Sequence, residues 1–143
     1  MPSDSFIQNR YKSVYWTCCA YFKLLVVSIK LRYLGMSWLQ KQVDFNNISD
    51  NALGRRVTDP ELLAMHEAVR FAARWHFLTL NCLPRSLVLV DMLRGLGMVA
   101  VVCIGVAKKS DALLSHAWVE VTLNDMQELI GEPESVEMDF KRL

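Results

Sequence analysis

Cys82-Leu83-Pro84-Arg85-Ser86-Leu87-Val88-Leu89-Val90-Asp91-Met92-Leu93-Arg94-Gly95-Leu96-Gly97-Met98-Val99-Ala100-Val101-Val102-Cys103-Ile104-Gly105-Val106 changes its period halfway along. In the first half, Leu83, Leu87, Val90 and Leu93 recur at helical spacing with Leu89 beside them, which predicts a helix from Cys82 to Arg94 with a broad buried face. Gly95 and Gly97 supply a stop signal. From Met98 to Val106 the residues become β-branched and nearly continuous, which suits a largely buried strand. A helix delivered directly into a strand defines the frame of the molecule.

Downstream, Lys108-Lys109-Ser110-Asp111 read as a polar connection. A strand is predicted from Ser115 to Thr122, with His116, Trp118, Glu120 and Thr122 on one face and Ala117, Val119 and Val121 on the other. Asn124-Asp125 reads as a turn and Met126 to Ile130 as a short returning strand. The tail from Gly131 onward is acidic, holds Pro133, and is expected to cover a sheet edge or fray.

Upstream, Thr58-Asp59-Pro60-Glu61 carries a cap, a first-turn proline and a capping-box glutamate. Leu62, Met65, Val69, Ala72 and Ala73 then form the apolar stripe of a helix that should end before Asn81. Residues 6 to about 42 read as one or two helices, ended or bent at Gly35. Tyr15, Cys19, Phe22, Val26, Ile29 and Tyr33 make a stripe there, read either as core or as a partner-docking surface. Residues 44 to 57 are polar and turn-forming. The expected organisation is a helical region with linker over 1–57 and a core over 58–143. The fold class is α+β, with helices packed on one face of a small antiparallel sheet.

Composition narrows the function classes. With 16 basic and 15 acidic residues among 143, the net charge is +1, so no broad electrostatic case exists for nucleic acid or an anionic membrane. Apolar residues make up 52%, above the usual range, which hints at a surface that something else covers. The apolar part of residues 14 to 29 comes late for a signal peptide, and Lys23 interrupts it, so no membrane span is expected. The four cysteines, Cys18, Cys19, Cys82 and Cys103, form no Cys-x-x-Cys pair. The three histidines offer no zinc spacing, so no metal or cofactor is expected. Free thiols fit a reducing cytoplasm.

Cys82 opens a helix, where unpaired backbone N–H groups favour a thiolate, and Asn81 is positioned to cap it. His116 stands 34 residues later on a strand, and Trp118 on the same face can wall a site around it. Arg85 follows Cys82 by three and can meet a substrate carbonyl or carboxylate. Glu128, on the next strand, is the candidate orienter of His116, with Asp125 as the alternative. A tight turn pairs Val121 with Glu128, so only a shifted register brings Glu128 to the His116 face. Each residue also has an ordinary reading. Cys82 can be core packing, as Cys103 is taken to be; His116 can be a half-buried histidine; and Arg85 and Glu128 can be solvated. His66 and His76 read as solvated or packing residues.

The blocks Cys82-Leu83-Pro84-Arg85-Ser86-Leu87, Leu93-Arg94-Gly95-Leu96-Gly97, Ile104-Gly105-Val106 and His116-Ala117-Trp118-Val119-Glu120-Val121 resemble the lasso-peptide leader peptidases. These are small bacterial transglutaminase-like cysteine proteases, and the resemblance spans roughly residues 58 to 131. It implies a papain-like mechanism that cuts the leader from a ribosomally made precursor, with Cys82 as nucleophile and His116 as base. The third member in that family is an aspartate, where this chain carries Glu128. The resemblance also implies a stand-alone peptidase half. Its partners would be a separate leader-recognition protein, docked on the hydrophobic N-terminal helices, and a downstream cyclase. Two other readings stay open: a transglutaminase-like acyl transferase, and a catalytically silent binding module.

Overall fold

The computed structural model describes residues 4–44, 59–109, 112–123, 126–130 and 141–142. The expected linker beyond residue 44, the Thr58 cap, the Asn124-Asp125 turn and the tail from Gly131 to Phe140 lie outside the described residues. Three helices precede the sheet: α1 (Asp4–Asp44), α2 (Asp59–Arg74) and α3 (Cys82–Gly95). The strands are β1 (Val99–Lys109), β2 (Ala112–Leu123), β3 (Met126–Ile130) and β4 (Lys141–Arg142). They form one antiparallel sheet in the order β3-β2-β1-β4. The fold is α+β, as the change of period predicts. A fourth strand joins the expected three, because Lys141 and Arg142 pair with Val106 and Gly105 and cover the far edge of β1.

The helix-to-strand hand-over is made at Gly97. Its φ of 80° lies in the left-handed region, where a side chain is disfavoured. The amides of Leu96, Gly97 and Met98 turn back to the carbonyls of Leu93 and Arg94 and close the end of α3. The Arg94 guanidinium donates from Nε and Nη2 to the Ala100 carbonyl at 3.1 and 2.9 Å, fastening the end of α3 to the start of β1. Burial pushes Arg94 below its ordinary pKa, while the Asp91 carboxylate raises it.

One core joins all three helices to one face of the sheet. On β2 it takes Ala117, Val119 and Val121, and on β1 Ala100 and Val102, as period-2 alternation requires. β1 is less enclosed than its β-branched run suggests, since Val99 at its start is 50% exposed. From α2 come Leu62, Met65, Val69, Ala72 and Ala73, the stripe read from the sequence.

α1 departs from expectation. Its core face is Ala20, Leu24 and Leu39, with Trp16, Tyr21, Val27, Leu31 and Trp38 packed alongside. Of the two readings of the sequence stripe, core or docking surface, the core one is excluded: Tyr15, Phe22, Val26, Ile29 and Tyr33 are all exposed. Apolar residues occupy both sides of this helix, so periodicity alone could not say which side met α2 and α3. The helix is also longer than the segment read from sequence. Arg10–Gly35 is long and apolar enough, by length and composition alone, to cross a membrane. Gly35 kinks α1 with φ 57° and ψ −145°, as its position suggests.

Candidate functional site

The sequence builds the site by putting a thiol at the start of α3 and an imidazole on β2. Asn81 precedes α3 with extended backbone, φ −77° and ψ −178°, but its side chain makes no capping hydrogen bond. The expected Asn81 cap is therefore conformational only. The first turn of α3 holds no acidic residue, so the positive end of the helix dipole is uncompensated beside Cys82.

Four residues into α3, one turn beyond Cys82, the buried Ser86 hydroxyl donates to the Ala117 carbonyl at 3.1 Å. Ala117 follows His116 directly. This bond fixes the start of α3 against the strand segment that carries the imidazole. Cys82 and His116 line one small, solvent-open cleft of about 40 Å³, together with His66, Arg70, Arg85 and Ser86. The walls between them are apolar: Val69, Leu89, Ala117 and Val119. Both Cys82 and His116 are half-buried, and the Nε2 atom of His116 and the Nε atom of Arg85 are shielded from solvent.

His116 reaches this cleft although its strand parity points away from the core face of the sheet. β3 pairs with β2 only as far as Ile130 opposite Val119. Among the described residues, β2 has no strand neighbour on that edge from Trp118 back to Ala112. On the other face, the Trp118 ring lies nearly parallel to His116, centroids 6.4 Å apart and 11° between planes. Its Nε1 donates to Glu120 Oε1 at 3.2 Å. Trp118 therefore stacks beside the histidine and is not among the residues that line the cleft with Cys82. Arg85 does line it.

Glu128 is displaced from the position expected of an orienter. It is registered opposite Val121, five residues along β2 from His116, or roughly 16–17 Å at strand rise. The unshifted pairing, with Leu123 opposite Met126 and Val119 opposite Ile130, is the one adopted, and it registers Glu128 with Val121. Asp125, the alternative, lies outside the described residues.

Three cleft residues escaped the sequence reading of the site. Ser86 sat unremarked on an apolar helix face, where a buried hydroxyl must find a partner. His66 was read as solvated or packing, yet it borders the apolar stripe of α2 between Leu62 and Val69 and enters the cleft. Arg70 joins it one turn on, paired with Glu67 at 3.2 Å. His76 does take a packing role: it is buried and stacked between Tyr21 and Phe77, with centroids at 4.5 and 4.7 Å. Cys103 is buried in β1 opposite Trp118, at the parity away from Ala100 and Val102, Cys18 is exposed, and none of the four cysteines is in a disulfide. Among the described residues no cluster of metal-ligating side chains occurs.

A thiol at a helix start and an imidazole on a strand line one cleft of an α+β domain. The chain belongs to the transglutaminase-like superfamily, whose core model matches residues 23–142. That superfamily includes cysteine proteases and acyltransferases. No curated protein and no solved structure gives a match.

Proposed function

We propose that this chain is a cytoplasmic cysteine endopeptidase that removes the leader from a ribosomally made lasso-peptide precursor. The observation that carries the chemistry is the shared cleft of Cys82 and His116, held by the Ser86 bond to Ala117. The choice of substrate is supported by the four sequence blocks around those two residues.

In this reading His116 accepts the proton of the Cys82 thiol, and the sulfur attacks the carbonyl carbon of the leader–core bond. The tetrahedral oxyanion is held by the Cys82 backbone N–H at the start of α3, with Arg85 close by. Collapse breaks the C–N bond, and the core amine leaves with the proton from His116. A thioester then links the leader to Cys82. Water, deprotonated by His116, attacks it, releasing the leader carboxylate and the free thiol. Lining the cleft with arginines and imidazoles, and no carboxylate among the described residues, suits the negative charge that develops twice. The residue that orients His116 is not assigned to Glu128. A separate leader-recognition protein presents the precursor, and a cyclase closes the ring afterwards.

The test is incubation of the full chain with precursor and recognition protein, read by mass spectrometry. Wild type should yield leader and core with the mass of one water added across the bond, and Cys82→Ala should yield neither. Intact cleavage by Cys82→Ala overturns the proposal. A cross-linked product in place of hydrolysis identifies an acyl transferase instead.

A further inference from the structure

α1 carries a second apolar face that the fold does not use. Tyr11, Tyr15, Phe22, Val26, Ile29 and Tyr33 follow one another at spacings of three, four and seven and are between 47% and 80% exposed. At 100° per residue they centre opposite Ala20 and Leu24, which are fully buried against the other helices. The stripe therefore runs along the outer surface for about 33 Å, at helical rise over 22 residues. Its flanks have one sign of charge. Between Arg10 and Lys41 the helix holds Arg10, Lys12, Lys23, Lys30, Arg32 and Lys41, and no carboxylate at all. Asp91 of α3 pairs with Lys23, and Glu61 of α2 approaches Lys12 at 3.9 Å. Four cations remain on α1 after these two pairings, with Lys30 resting over the Trp38 ring at 5.7 Å.

We infer that this outer face of α1 docks on an anionic lipid surface, with the helix lying in the plane of the interface. Exposed aromatic and aliphatic residues flanked by lysine and arginine are the composition of an interfacial helix. Tyrosines stand at both ends of the stripe, and their amphipathic rings suit the headgroup level. A spanning orientation is disfavoured even though Arg10–Gly35 is long enough, because crossing would strip Ala20 and Leu24 from the core. A second copy fits poorly as well. Two such helices side by side would set lysine flank against lysine flank, with no carboxylate on α1 between Arg10 and Lys41 and only Glu61 and Asp91 of the neighbouring helices to offset the repulsion. Lying flat satisfies both faces, one against protein and one against lipid. The inference is independent of the chemistry at Cys82.

The full chain is sedimented with vesicles of phosphatidylcholine alone and of equimolar phosphatidylcholine and phosphatidylglycerol. Wild type should partition onto the anionic vesicles, more weakly at high salt and weakly onto phosphatidylcholine. Phe22→Ser with Ile29→Ser should reduce partition by roughly tenfold or more, since both side chains are exposed and contribute little to the fold. Lys30→Gln with Arg32→Gln should reduce it about tenfold on anionic vesicles only. Circular dichroism should show all variants folded. Three results overturn the inference: no partition of wild type; partition unchanged by Phe22→Ser with Ile29→Ser; or a lipid-free dimer that the same pair turns into a monomer. Loss of recognition-protein binding by that pair, without any vesicle binding, overturns it in favour of a protein partner. None of these readings depends on whether the precursor is cleaved.

Discussion

Ser86 and Ala117 are joined by a 3.1 Å hydrogen bond between elements 31 residues apart, one turn after Cys82 and one residue after His116. The bond is buried and directly ties the helix that bears the thiol to the strand that bears the imidazole. Removing the hydroxyl leaves the Ala117 carbonyl without this donor in a dry setting. Ser86→Ala should cost about 1–3 kcal/mol of stability. It should also lower cleavage of the precursor by more than the lost folded fraction explains, read by urea unfolding beside turnover. Unchanged turnover at full folding would mean that the bond does not position the site.

The two faces of α1 should respond in opposite ways to truncation. Leu24 is fully buried, and Leu24→Ala should cost about 2–5 kcal/mol through lost contact and cavity. Phe22, two residues earlier, is 67% exposed, and Phe22→Ala should fall within about 0.5 kcal/mol of wild type in lipid-free buffer. Chemical denaturation of both variants checks the pair. Equal effects would mean that α1 is not seated on Leu24.

Arg94 closes the far end of α3 with two bonds to one carbonyl. Arg94→Ala should lose about 1.5–3 kcal/mol, the range for charged donors, and Arg94→Lys should recover only part of it because the planar fork is gone. Thermal melts of the three proteins measure the order.

Gly35 holds a conformation that L residues avoid, and a Cβ there would meet nothing within 4 Å. The cost of Gly35→Ala is therefore conformational rather than steric, about 1–3 kcal/mol, unless the helix straightens through the kink. A stability loss with unchanged helical ellipticity supports the strained kink. A gain in ellipticity with no loss shows straightening.

The thiols should separate by accessibility. Cys103 is buried and should resist alkylation in the native state, whereas exposed Cys18 should react freely with a small maleimide. A peptide electrophile carrying the leader sequence should label Cys82 in preference to Cys18, mapped by tryptic digestion and mass spectrometry. Equal labelling of the two would favour the silent binding module.

The sequence by itself determined the elements. Period change, glycine stops and alternation place α3, β1, β2 and β3 within a few residues, because a helix or strand is a local consequence of which residues share a face. It also determined that Cys82 opens a helix and that Ala117, Val119 and Val121 share one face of β2. Tertiary structure decided the rest. α1 is apolar on two sides, and only contact with α2 and α3 selects Leu24 over Phe22 for burial. Glu128 carries the right chemistry for an orienter, yet unshifted pairing with β2 sets it opposite Val121 and away from His116. Conversely His66 and Ser86 had no local signature of a site and line the cleft because α2 packs on α3 and α3 packs on β2. Periodicity states which residues lie together on one element; which faces meet depends on the packing of elements far apart in the chain, and that information is not local.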